Sequence, residues 1–322
     1  MNYLYCFDEN YNVQAYNSIS SLLSKLQKPS DVSIYIIHKN PKSFQKYLNK
    51  LSNWNSSITI YEFQKSNFDF PNLESKHISE ATYYRLFIDK YLPSEIEFII
   101  YLDADIYCLN DPTKKYYDTK SALLSSSYDI AACSELYESN YHSDRLKLES
   151  KKYFNAGLIC IDYQKWQKKY TSNNMLENME KIRNDVLWWD QDVLNFSIDG
   201  NYYELNNSMN YLYNQVRNYD KESQYILSEV YFLHYLGKSK PWSIFGILEK
   251  YSEIYQNIHR QHNSSFYHID LNPRTDFVLI NLKTLLSIKN LLKVQRRFTF
   301  LSRGLISIAK LIKSKNKKQT NK

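Results

Sequence analysis

Over the first 110 residues, short continuous apolar or aromatic runs alternate with segments whose apolar residues recur at helical spacing. The runs are Tyr3–Phe7, Ser33–Ile37 and Phe98–Leu102, and the helical patterns between them cover Ser18–Leu26 and Ser43–Leu51. A continuous apolar run is typical of a strand buried on both faces, as in parallel sheets that helices cover. The order of strand, helix and strand therefore predicts βαβ units and an α/β fold with a mixed, mostly parallel sheet.

The rest of the chain continues this pattern less regularly. Glu80–Tyr91 has a helical pattern and leads, across the Leu92-Pro93 break, into the Phe98–Leu102 strand. The later predictions are strands at Asp129–Cys133, Gly157–Ile161 and Tyr231–His234, a helix after Asp190, and a strand after the turn at Asp199-Gly200. The pattern GxGxxG does not occur in the sequence, which argues against an ordinary dinucleotide-binding site.

Glycine and cysteine usage adds two constraints. The chain has only five glycines, so each one indicates a position where a Cβ would not fit. The four cysteines (Cys6, Cys108, Cys133 and Cys160) form no CxxC pair, so we predict neither a disulfide framework nor a zinc site. The N-terminus lacks the features of a signal peptide, and no stretch approaches the ~18 apolar residues of a membrane span. These observations predict a cytoplasmic protein.

Basic residues are concentrated at the C-terminus. Residues 273–322 contain 13 Lys and Arg against one acid, Asp276, whereas the whole chain has a net charge of +7. An apolar stripe at helical spacing runs along this segment through Phe298, Leu301, Leu305, Ile308 and Ile312. We therefore divide the chain into a domain of residues 1–272 and a basic amphipathic helical tail of residues 273–322. Such a tail predicts binding to the anionic inner face of a membrane, and no motif supports nucleic acid as its partner. The alternative is that the apolar stripe packs on the body of the protein and that the final lysines only aid solubility.

An acidic pair follows the predicted strand Phe98–Leu102. Asp103-Ala104-Asp105 leaves that strand at its carboxyl end, where parallel sheets hold their ligands. Two carboxylates one residue apart can face one hard divalent cation together, and Mn²⁺ or Mg²⁺ bridging to a diphosphate would suit them. A lone DxD is more often a solvated acidic turn, so the flanking sequence decides between the two readings.

The flanking sequence resembles glycosyltransferase family 8, especially the bacterial lipopolysaccharide α-galactosyl- and α-glucosyltransferases. The resemblance covers residues 1–245 approximately. It rests on ordered blocks: YCFDENY near the start, HISEATYYRL at 77–86, YLDADIYCLND at 101–111, YFNAGLICIDYQKW at 153–166, DQDVLN at 190–195 and LHYLGKSKPW at 233–242. It implies a GT-A-type, Rossmann-like domain that transfers galactose or glucose from UDP to a saccharide acceptor, with the anomeric configuration retained.

The family blocks imply a nucleotide-sugar site. Its predicted members are Cys6, Asp8, Asn10, Arg85, Asp103, Ala104, Asp129, Asn155, Asp190, Gly237 and Lys240. Asp8 can accept a hydrogen bond from uracil N3–H, and Asn10 can serve the base or the ribose. Asn155 is assigned to the donor sugar by the resemblance. Asp129 lies outside the family blocks and is assigned to sugar hydroxyls from its position at the start of the predicted strand. Lys240 would neutralise the diphosphate.

The same resemblance implies the metal ligands and the catalytic groups. His234 joins Asp103 and Asp105 as the third protein ligand of Mn²⁺, or alternatively Mg²⁺. Asp190 would hold donor hydroxyls, and the Gln191 amide would face the anomeric carbon. An amide is a poor nucleophile, so Gln191 is predicted to stabilise an oxocarbenium-like centre, with Asp192 as the alternative nucleophile.

Three other functions fit parts of the sequence. A glycoprotein-modifying transferase of the same family would use the same donor chemistry on another acceptor, which is lipid-linked or a cell-surface glycan in our preferred reading. A self-glucosylating protein is allowed by the 31 tyrosines. A non-catalytic, membrane-associated UDP-sugar-binding protein would fit the tail, but the retained Asp103, Asp105, His234 and Gln191 favour an enzyme.

Overall fold

The computed structural model describes residues 1–64, 68–71, 79–135, 139–213, 219–237, 240–243, 246–248 and 251–270. The basic tail, residues 273–322, lies outside the described residues. The chain divides into two units, the first comprising Met1–Leu212 with Asn218–His234 and the second Tyr213–Arg217 with Tyr235–Lys322; of the second unit the structure describes Tyr213 and residues within 235–270.

Strands and helices alternate along the described residues. The strands are β1 (Asn2–Phe7), β2 (Ser33–His38), β3 (Ser57–Glu62), β4 (Phe98–Leu102), β5 (Ile106–Cys108), β6 (Ile130–Ser134), β7 (Phe154–Asp162), β8 (Tyr202–Glu204), β9 (Tyr211–Tyr213) and β10 (Phe232–Tyr235). The α-helices are α1 (Asn12–Lys25), α2 (Pro41–Leu51), α3 (Thr113–Leu124), α4 (Ser139–Arg145), α5 (Tyr163–Lys169), α6 (Ser172–Lys181), α7 (Trp189–Ile198), α8 (Tyr219–Glu229) and α9 (Ser252–His262).

The main sheet is mixed and mostly parallel, as predicted. Among the described residues it has seven strands in the order β3-β2-β1-β4-β7-β6-β8. β7 is antiparallel to both of its neighbours, and the other pairs are parallel. A second sheet has the order β5-β10-β9. After β3 the chain returns to the middle of the main sheet and forms β4 beside β1. This reversal makes a topological switch point, where open α/β sheets bind ligands beyond the carboxyl ends of the strands.

Apolar side chains cover both faces of the main sheet. On one face, Leu4, Ile99 and Tyr101 pack with α6, α7 and the segment before β4. On the other face, alternate residues such as Tyr3, Tyr5 and Ile100 pack with α1, α2 and α3. Because consecutive side chains of a strand point to opposite faces, this arrangement requires continuous apolar runs. The sequence prediction of strands buried on both faces is therefore confirmed for β1 and β4, although β7, also fully buried, is antiparallel.

The segment before β4 differs from the predicted helix in type. Glu80–Lys90 is a 3₁₀ helix that is interrupted at Phe87, where the backbone leaves helical geometry. Tyr83, Tyr84 and Arg85 of this segment are buried. Residues 83–88 are buried without interruption, so more than one face of this segment is covered, unlike the single buried face of an amphipathic α-helix.

No helix within the described ranges is long and apolar enough to span a bilayer. All four cysteines are buried free thiols.

Candidate functional site

Three potential metal ligands converge beyond the carboxyl end of β4. Asp103 and Asp105 follow β4, and His234 lies in β10, which pairs with β5 so that His234 is opposite Ile106. One ligand atom from each of the three side chains lies within 4.8 Å of the others. Asp105 and His234 are buried, and the side chain of Asp103 is about a quarter exposed. The structure thus brings together the three residues that the sequence analysis assigns to the metal.

The donor set fits a divalent cation. Carboxylate oxygens and an imidazole nitrogen are suitable ligands for Mn²⁺. His234 Nε2 lies 3.4 Å from Asp105 Oδ1, while His234 Nδ1 lies 3.2 Å from Asn210 Oδ1. An imidazole whose Nδ1 donates to an amide oxygen presents a lone pair at Nε2. That lone pair faces a carboxylate, and a cation between the two would stabilise both.

Gly157 on β7 makes room for the imidazole. A Cβ built on Gly157 would overlap Cε1 and Nδ1 of His234. The Gly157 carbonyl also accepts a hydrogen bond from the Asp103 backbone N–H, at 2.8 Å. The backbone of β7 therefore lies so close to the side chain of His234 that only glycine fits at position 157. This explains why a glycine is present there in a glycine-poor chain.

Arg85 links the metal cluster to α7. Its guanidinium lies 3.2 Å from Asp103 Oδ1 and 2.5 Å from Asp190 Oδ2, and it donates to the Ala156 carbonyl. The guanidinium stacks on the Tyr101 ring, whose hydroxyl donates to Asp103 Oδ1 at 2.5 Å. Arg85 is buried, so these interactions act in a low dielectric and fix both carboxylates in place.

Burial controls the ionisation of the two carboxyl groups that Arg85 joins. Desolvation raises the pKa of Asp190 to about 6, although Arg85 favours its ionised form. Burial raises the pKa of Asp103 as well, again opposed by Arg85. Thr82 Oγ1 donates a further hydrogen bond to Asp190 Oδ1, at 2.8 Å. Above pH 6 Asp190 is ionised and can form its ion pair with Arg85; below it, the pair weakens.

Gln191 is held by both ends of its carboxamide. Its Oε1 accepts from the Ala156 N–H at 2.9 Å, and its Nε2 donates to the Tyr153 hydroxyl at 3.2 Å. The first turn of α7 carries Asp190, Gln191 and Asp192, as predicted from the sequence. This turn therefore presents Gln191 at the amino end of β7, beside Asn155.

Asp192 was the alternative nucleophile, and the structure contradicts that assignment. Its side chain is fully buried. Arg145 and the Tyr153 hydroxyl donate to Oδ1, and the Leu187 and Trp188 N–H groups donate to Oδ2. A carboxylate with four donors and no exposed surface cannot reach an anomeric carbon. Through Tyr153 it holds Gln191 in place instead.

Asp129 was assigned to sugar hydroxyls, and this prediction is also wrong. β6 runs in the same direction as β4, because both are antiparallel to β7, and Asp129 precedes β6. It therefore lies at the amino end of the strand, away from the metal cluster. There its oxygens accept from Lys169, Tyr170 and Asn201.

Glu135 follows the carboxyl end of β6, on the same side of the sheet as the metal cluster, and the sequence analysis missed it. Its Oε2 accepts from Asn155 Nδ2 at 3.1 Å. The signal that could have identified it is its position directly after the strand IAACS, equivalent to that of Asp103 after β4.

The remaining predicted residues fall into three groups. Asp8 and Asn10 follow β1 at the switch point, where Asp8 is buried, Asn10 is exposed and the Asn10 N–H donates to Asp8 Oδ1. Cys6 and Ala104 are buried in the core clusters, and burial raises the pKa of the Cys6 thiol. Gly237 and Lys240 belong to the second unit, where the Lys240 amine donates to the Tyr235 carbonyl at 2.5 Å.

The comparisons with known proteins agree with this geometry. The model of the family "Glycosyl transferase family 8" matches residues 2–245. General stress protein A of Bacillus subtilis is 25% identical over 256 residues, covering 76% of this chain and 87% of that protein. Lipopolysaccharide 1,2-glucosyltransferase of Escherichia coli is 26% identical over 257 residues, covering 77% and 74%. The solved structure of galactosyltransferase LgtC with donor and acceptor sugar analogues has a TM-score of 0.67 at 20% identity, covering 82% of this chain and 97% of that one.

A family model that matches three quarters of the chain accounts for the ordered sequence blocks, and the solved structure shares the GT-A fold. The chain belongs to glycosyltransferase family 8.

Proposed function

We propose that this glycosyltransferase moves galactose or glucose from a UDP-sugar to a saccharide acceptor, with retention of configuration and with a divalent ion. The observation that carries the proposal is the convergence of Asp103, Asp105 and His234 at the switch point of the sheet. Arg85 and Asp190 connect this cluster to Gln191, the proposed stabiliser of the anomeric centre.

Asp103, Asp105 and His234 would hold Mn²⁺, or Mg²⁺. When bound, such an ion supplies Lewis-acid stabilisation of the charge that develops on a departing diphosphate. Lys240, which follows Gly237 by three residues, is proposed to add positive charge at the same diphosphate. Asp8 and Asn10 would bind the uridine, because they follow β1 at the switch point.

The donor sugar would lie against α7 and the amino end of β7. Asp190, held by Arg85 and Thr82, can accept from sugar hydroxyls in its ionised form. Glu135 and Asn155 form a second polar pair that can receive hydroxyls. The Gln191 oxygen uses one lone pair on Ala156 and has a second for the electron-poor anomeric carbon.

The reaction then balances without a separate general base. The bond between the anomeric carbon and the β-phosphate oxygen breaks, and the acceptor oxygen bonds to the same face of the sugar. The acceptor proton passes to the leaving phosphate oxygen. Asp192 takes no part, because its carboxylate is buried and saturated with donors.

Donor hydrolysis tests this proposal. We expect purified protein to cleave UDP-galactose or UDP-glucose faster than other UDP-sugars, only with Mn²⁺ or Mg²⁺ present, and chelation to abolish the reaction. Release of UDP at the same rate with excess chelator, or no preference within a panel of UDP-hexoses, UDP-N-acetylhexosamines and UDP-glucuronate, would contradict the proposal.

The acceptor is proposed to be a cell-surface glycan such as lipopolysaccharide or lipooligosaccharide. Support comes from the relative named as a lipopolysaccharide glucosyltransferase. A lipid-linked acceptor would be presented at the inner face of the cell membrane, where we also propose to place the enzyme. The 13 basic residues of 273–322 support that location, because each Lys or Arg near an anionic surface contributes about 1 kcal/mol of binding.

Removing residues 296–322 tests the membrane proposal. The truncated protein should stay folded and hydrolyse UDP-hexose as before, but it should no longer sediment with anionic liposomes. Binding of the full chain should weaken at high salt because the attraction is electrostatic. Full-length protein that ignores anionic liposomes at low salt, or a truncated protein that aggregates, would show that the segment has a structural role.

A further inference from the structure

Two buried carboxamides lie behind the imidazole of His234. Asn155 and Asn210 are 5% and 1% exposed, so their amide groups must find partners within the protein. The Gly157 backbone N–H lies 3.0 Å from one side-chain atom of Asn155. A peptide N–H can only donate, so that atom is the carbonyl oxygen Oδ1. The nitrogen of Asn155 then points to the Glu135 carboxylate, an obligatory acceptor.

The orientation of Asn210 follows from that of Asn155. The same Asn155 oxygen lies 3.0 Å from Asn210, and an oxygen requires a donor, so the Asn210 atom is its nitrogen. A carboxamide has one nitrogen and one oxygen, so the Asn210 oxygen is the atom that lies 3.2 Å from His234 Nδ1. That oxygen accepts, and therefore Nδ1 carries the proton.

The geometry points to Asn210 as a positioning residue that keeps His234 in its Nδ1–H tautomer and turns Nε2 toward the divalent ion. Asn155 and the Gly157 N–H fix Asn210 in turn, so one backbone N–H determines the tautomer of a side chain three hydrogen bonds away. The hydrogen bond at one imidazole nitrogen sets which nitrogen can bind a metal. This inference rests on the proposed metal function, but the tautomer itself exists without metal.

Nuclear magnetic resonance of metal-free, ¹⁵N-histidine-labelled protein measures the tautomer directly. Signals of His234 are identified among those of the seven histidines by their loss in His234→Gln. We expect the Nδ1–H form in the wild-type chain. Asn210→Ala should convert it largely to the Nε2–H form, and Asn210→Asp should restore the Nδ1–H form because a carboxylate oxygen also accepts. If His234 is in the Nε2–H form in the wild-type protein, the inference is wrong, and this result needs no variant.

Manganese affinity, measured by electron paramagnetic resonance of free Mn²⁺, separates this inference from the proposed function. Asn210→Ala should weaken Mn²⁺ binding about 10- to 100-fold. Asn210→Asp should recover part of that loss. The control Asn201→Ala, which removes an amide donor to Asp129 at the amino end of β6, should leave the affinity unchanged. If Asn210→Ala binds Mn²⁺ as the wild type does, the inference is wrong; if the wild type binds none, the proposed metal site is wrong.

Discussion

Replacing Asp105 by alanine should lower UDP-hexose cleavage about 10²- to 10³-fold, the effect expected when a major electrostatic stabiliser of a transition state is removed. Asp105 is buried, and its carboxylate is directed at His234 and lies near Asp103. Burial is the main cause of the raised pKa of Asp103, and repulsion from the nearby Asp105 carboxylate in the absence of a cation adds to it. The metal-free variant should therefore be at least as stable as the wild type.

Thermal unfolding without Mn²⁺ measures the stability of the metal-free variant, and unfolding with Mn²⁺ tests whether the variant still binds the ion. The ion should raise the melting temperature of the wild-type protein, because a ligand that binds only the folded state stabilises it. It should not raise that of Asp105→Ala. The matched control is Asp118→Ala, which removes an exposed carboxylate from α3. Turnover of Asp105→Ala near the wild-type rate, with chelator present, would disprove the role of Asp105.

Replacing Gln191 by alanine should lower kcat about 10²-fold and leave the affinity for UDP unchanged. The Gln191 carboxamide is held between Ala156 and Tyr153, so its free lone pair is fixed before the reaction begins. An interaction that forms only as the anomeric carbon becomes electron-poor affects the transition state and not the bound ground state. Its loss therefore appears in kcat.

Asp8→Ala should have the reverse effect on kcat and UDP affinity. Asp8 caps the turn after β1 through the Asn10 N–H and lies at the switch point, where the uridine is proposed to bind. We expect this variant to weaken UDP binding more than it lowers kcat. Calorimetry with UDP and steady-state kinetics on both variants separate the roles, and an equal loss of UDP affinity in the two variants would contradict this division.

The sequence was most informative for the central strands of the main sheet. Tyr3–Phe7 and Phe98–Leu102 were predicted as strands because short continuous apolar runs are typical of a sheet that is covered on both faces, and β1 and β4 confirm this. The cluster of Asp103, Asp105 and His234 was predictable because the family blocks are ordered along the chain. Their spacing in three dimensions depends on the pairing of β10 with β5, which no local pattern encodes.

The errors at Asp129 and Asp192 have a common cause. A strand read from sequence has no known direction in the sheet, so the acid before β6 and the acid after it are equivalent candidates until β7 is placed. Burial of Asp192 likewise depends on Arg145 and Tyr153, which come from α4 and the start of β7. Tertiary packing determines both the direction of a strand in the sheet and the burial of such a carboxylate. The periodicity of a single sequence carries no information about either.

Time-resolved proton magnetic resonance of the released sugar tests whether this protein cleaves a UDP-hexose with retention of configuration and only with a divalent metal. With Mn²⁺ and the preferred donor, water can replace the acceptor, and the first hexose to appear should be the α-anomer, before mutarotation. Chelator should prevent its appearance. A β-anomer formed first, or an α-anomer formed at the same rate in excess chelator, would contradict the mechanism.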